Sequence, residues 1–87
     1  MTDFELIKMY FNNLKKDLKE DKIDLHFARV EAKSILTKTI MLLEKTSQTD
    51  ESFTEITSMH VEIKRMIEHI SHNIEIQDKQ ENLKKFF

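Results

Sequence analysis

The sequence has no glycine, no proline, no cysteine and no tryptophan. A chain of 87 residues with average composition would hold roughly 6 glycines and 4 prolines. Phosphate-cradling loops, dinucleotide-binding turns, EF-hand loops and nucleophile elbows all need glycine at fixed positions, so none of them can be built here. The lack of cysteine excludes disulfides, thiolate nucleophiles, cysteine–zinc sites and iron–sulfur clusters. Long hydrophobic runs are missing too. The longest is Ile40-Met41-Leu42-Leu43, far short of a membrane span. The first residues carry Asp3 and Glu5 and show no apolar signal segment, so the expected location is cytoplasmic.

Charge of one sign is also absent. Fourteen basic and 16 acidic residues leave a formal net charge of −2, the wrong sign for a protein that lives on a phosphate backbone. Lys8, Lys15, Lys19 and Lys22 run along one side of the first segment but alternate with Asp17, Glu20 and Asp21. That pattern describes a solvated face, and it disfavours both nucleic acid and a membrane surface as partners. The length allows one domain over residues 1–87, and 39% hydrophobic residues suffice for a single core.

What the chain does contain is helical periodicity from end to end. Phe4, Ile7, Phe11, Leu14 and Leu18 mark one face of a first helix at about 3–20. Thr2 and Glu5 have capping-box spacing, and Asp21 or Asp24 is the expected cap of the next helix. Leu25, Ala28, Ala32, Ile35, Thr39 and Leu42 form the seam of a second helix at about 24–46. Phe53, Ile56, His60, Ile63, Ile67, Ile70 and Ile74 form that of a third at about 50–82, leaving residues 83–87 as a tail. Breaks of a few residues make successive helices antiparallel neighbours. The expected fold is therefore all-α: a three-helix antiparallel bundle in which a short first helix packs on a long hairpin of the second and third. At 1.5 Å per residue the third helix would be about 50 Å long against about 34 Å for the second, so it should overhang.

Residues that could carry chemistry are few. The hairpin would set His26 level with His69 and His72, whose spacing on one helix suits metal ligands. His69 and His72 nevertheless fall on outward positions and His26 lies beside the seam of the second helix, so solvated surface histidines are the simpler reading; no metal or other cofactor is expected. His60 occupies the seam itself, where a half-buried polar residue can set helix register. No nucleophile has a base and an oxyanion hole beside it, so the chain is not expected to be an enzyme.

Apolar residues in excess of one seam per helix remain. Leu6, Met9 and Tyr10 lie off the seam of the first helix, and Phe27, Val30, Ile40 and Met41 off that of the second. Leu83, Phe86 and Phe87 lie beyond the third. Clusters of this kind point to protein–protein contact and to a dimer or higher homo-oligomer. The expected function is a non-enzymatic interaction module: a small helical regulator, inhibitor or chaperone-like adaptor. A different expectation is an oligomer that holds a small anionic ligand at its subunit interfaces through Lys15, Lys19, Arg29 and Lys33.

Overall fold

A computed structural model of the protein describes residues 2–85. Among them are three helices and no strand: α1 (Asp3–Lys19), α2 (Leu25–Lys45) and α3 (Ser52–Lys85). Each boundary has a local cause. Thr2 Oγ1 accepts the Glu5 N–H at 3.2 Å, and the Glu5 carboxylate accepts the Thr2 N–H at 3.3 Å, which completes the capping box. Asp24 caps α2 by accepting the Phe27 N–H at 3.2 Å. At the start of α3 the Asp50 carboxylate accepts from both the N–H and the hydroxyl of Ser52, at 2.9 and 2.7 Å. These bonds, the backbone one first, favour the ionised form and hold its pKa below the ordinary carboxylate value.

Asp21, the other candidate cap, does something else. It takes φ 56°, the left-handed region that glycine normally fills, and ends α1. Its N–H bonds the Leu18 carbonyl at 3.3 Å and the Lys22 N–H bonds the Asp17 carbonyl at 2.9 Å, the Schellman arrangement. A chain without glycine thus makes its sharpest turn with an aspartate, one of the few side chains that tolerates this conformation.

The core is one apolar seam. Ile7, Phe11 and Leu14 come from α1, Ala28, Ala32 and Ile35 from α2, and Met59, Ile63, Ile70 and Ile74 from α3. Thr39 is buried among them, with its hydroxyl donating to the Ile35 carbonyl of its own helix at 2.8 Å. The α2 helix packs on both neighbours. It runs antiparallel to α1, whose Leu6 and Tyr10 lie beside Met41 and Leu42. It runs antiparallel to α3 as well, since Leu25 shares a groove with His69 and Ile70. Between α1 and α3, Lys15 Nζ reaches Glu62 Oε2 at 3.8 Å, an exposed pair of small energetic weight. Together the elements form the expected three-helix bundle.

The overhang is present. Ile74 is the last buried position of α3, and Glu75 through Leu83 are all exposed. Ile76 and Leu83 are the large apolar residues of this stretch. At 100° per residue Ile76 stands about 160° around the helix from Ile74, so the apolar stripe changes face where the bundle ends. Phe86 and Phe87, expected to contribute a sticky terminus, lie outside the described residues.

The left-handed aspartate gives a direct test. Asp21→Gly should stabilise the bundle by about 0.5 kcal/mol, raising Tm by about 2–4 °C. A lower Tm in thermal denaturation would mean that the Asp21 side chain contributes more than its backbone conformation costs.

Candidate protein-binding surface

The inner face of α2 carries Ala28, Ala32, Ile35 and Thr39, all buried. The outer face is built from Phe27, Val30, Ser34, Thr37 and Met41, and all five are exposed. Their 3-4-3-4 spacing aligns them along one side of the helix for about four turns. Phe27 is 55% exposed, Val30 63% and Met41 51%, and no charged residue interrupts the line. Phe27 and Val30 form an apolar pair at one end of this line and Met41 stands at the other, with uncharged Ser34 and Thr37 between them.

Next to this stripe, α1 and α2 enclose a groove of about 230 Å³ lined by Leu6, Ile7, Tyr10, Met41 and Leu42, with Asp3, Lys38 and Lys45 at its edge. Leu6 is half-buried in it, while Tyr10 and Met41 are exposed at its mouth. The Lys38 ammonium lies 5.0 Å from the centre of the Tyr10 ring and ties the two helices at the rim. The volume falls below the range usual for small-molecule sites, and the groove is open rather than enclosed. It widens the apolar surface of α2 instead of forming a separate pocket.

The structure therefore brings together Leu6, Tyr10 and Met41, and aligns Phe27 and Val30 with Met41. Met9 is exposed on the outer side of α1, and Ile40 is exposed about 100° around α2 from Met41, so neither belongs to the stripe. Leu83 is exposed at 59% on the overhang, remote from α2. Two exposed apolar residues, Val61 and Ile76, went unremarked in the sequence. Both fall outside the heptad of α3, a displacement that the spacing from Ile63 and Ile74 already carries.

The basic residues considered for an anion do not converge. Lys15 lines a groove between α1 and α3 together with Glu62, to which it is paired, and its ammonium stands 4.6 Å from the Phe11 ring centre. Lys19 and Lys33 are exposed and Arg29 is half-buried, none of them in that groove. On α2, Arg29 and Lys33 stand about 160° around from Glu31, which faces α1.

The histidines stay apart as well. His26, His69 and His72 are exposed, and the His69 ring nitrogen is 3.3 Å from the Asn73 side-chain amide. Among the described residues no three histidine, aspartate or glutamate side chains gather in a way that could hold a metal ion. His60 is half-buried between Ile56 and Ile63. No buried side-chain nitrogen or oxygen lacks a partner among the described residues. No helix there is long and apolar enough to cross a membrane. The chain matches no family model, no curated protein and no solved structure at a significant level.

The position of His60 yields a prediction about stability. His60→Leu completes the apolar seam of α3 and should leave Tm unchanged or raise it, by up to about 1 kcal/mol of stability. A clear fall in Tm would show that the imidazole makes a polar contact worth more than the burial gained.

Proposed function

We propose that this protein is a non-enzymatic interaction module that works by binding other proteins, in an oligomeric form, through helix faces its own bundle leaves uncovered. The observation that carries this reading is the outer face of α2. An amphipathic bundle helix ordinarily turns charged residues to water. Here the outward stripe from Phe27 to Met41 holds no charge, whereas 34% of the whole chain is charged. The overhang of α3 adds a second uncovered element. An isolated helix of this length is marginal in water, so a partner that accepts Ile76 and Leu83 in a groove would stabilise it. A small regulator, an inhibitor and a chaperone-like adaptor all fit this description.

Site-specific cross-linking tests the reading. Val30 is replaced by a photoreactive amino acid, Lys64 on the exposed side of α3 serves as control, and both proteins are irradiated in an extract of the native host. Adducts formed from position 30, absent from position 64 and lost when Phe27→Asp is added, are the expected result. Equal labelling from both positions, or none from either, would contradict it.

A further inference from the structure

The outer stripe of α2 is self-complementary, and its rims show in which direction. Read outward from Ser34, the stripe has Val30 and Phe27 on one side and Thr37 and Met41 on the other: large residues at both ends, small uncharged ones in the middle. A second stripe laid antiparallel across it sets Phe27 against Met41 at each end and brings the two Ser34 positions together at the centre.

The charges on either side agree with this register. On the rim toward α1 stand Glu31 and Lys38, which line one groove with Ser34. Neither belongs to an ion pair within the chain among the described residues. In an antiparallel pair equal rims meet, so Glu31 of each copy comes opposite Lys38 of the other. The far rim holds His26, Lys33 and Glu44, all exposed; the same register sets His26 opposite Glu44 and brings the two Lys33 side chains together once, beside the two-fold axis. A parallel pair would instead bring Lys33 of one copy beside Lys38 of the other, twice. The antiparallel register thus matches the stripe with itself and opposite charges on the rim toward α1, with one like-charge contact on the far rim against two in the parallel pair, and it closes about a two-fold axis.

We infer that the outer face of α2 is covered by the same face of a second copy of this chain, antiparallel about Ser34, with Glu31 and Lys38 forming reciprocal ion pairs. The inference rests on the reading of this stripe as a binding face and names its occupant. It leaves the overhang of α3 free for another protein. Self-association through such an interface is steered by the rim charges, because like charges in apposition suppress the wrong register.

Sedimentation equilibrium of the full chain, followed by a charge-swap series, tests this. The wild type should show a species of twice 10.5 kDa at about 100 µM and dissociate on dilution. Val30→Asp should abolish the dimer while circular dichroism shows the helices intact. Glu31→Lys and Lys38→Glu should each weaken the dimer about tenfold or more, since each places two like-charged pairs at the rim. Mixing these two variants should restore a dimer, now mixed, because only the antiparallel register pairs the altered rims correctly. A wild type that stays at 10.5 kDa, or a dimer that the mixture fails to restore, would overturn the inference. If the chain is monomeric yet position 30 still cross-links a different protein, the binding-face reading survives and only its occupant is wrong. If position 30 also cross-links nothing, both fall.

Discussion

The close approach that α2 allows its two neighbours is the contact on which the rest of the structure depends. Ala28 and Ala32 are fully buried, one turn apart, and Thr39 is buried two turns further on. Small side chains there let Phe11 and Leu14 of α1, and Ile63 and Ile70 of α3, reach into one seam instead of two. Adding methylenes to so tight a seam costs about 1–3 kcal/mol, which is a large share of the stability of a domain this size. The short α1 is held in the same way. It lies on α2 and is tied to α3 at the side by the Lys15–Glu62 pair, whose exposure makes it a weak fastening.

That arrangement gives α2 two faces separated by angle alone. The inner stripe folds the molecule. The five positions of the outer stripe are exposed, yet none of them carries a charge. Helix propensity does not require this, since lysine or glutamate would serve α2 better than valine, serine or threonine. The overhang of α3 shows the same separation along the chain, with Ile70 and Ile74 facing the core and Ile76 and Leu83 facing away.

Most of the architecture was legible because helices write their burial into the sequence with a fixed period. The unbroken heptad from Phe53 to Ile74 located α3, and the Thr2/Glu5 pair located the start of α1. The role of Asp21 was less legible. Both Asp21 and Asp24 have the chemistry of a cap, and only the backbone shows that one ends a helix while the other begins the next. The end of α3 was hard to read for a related reason: beyond Ile74 no tertiary contact marks a stop, and the helix continues to Lys85 on local propensity. Surplus apolar residues could be counted in the sequence, but their grouping could not. Leu6, Tyr10 and Met41 meet only because α1 and α2 run antiparallel, whereas Met9, one residue from Tyr10, turns away.

The central claim is that the two stripes of α2 are independent, one folding the chain and the other binding. A dilution series of methyl-resolved NMR spectra tests it most directly. The methyl signals of Val30, Thr37 and Met41 should shift together as concentration falls, while those of Ile63 and Ile70 stay fixed because the bundle itself is unchanged. Shifts that spread equally through Ile63 and Ile70, or a Val30 signal indifferent to concentration, would contradict it.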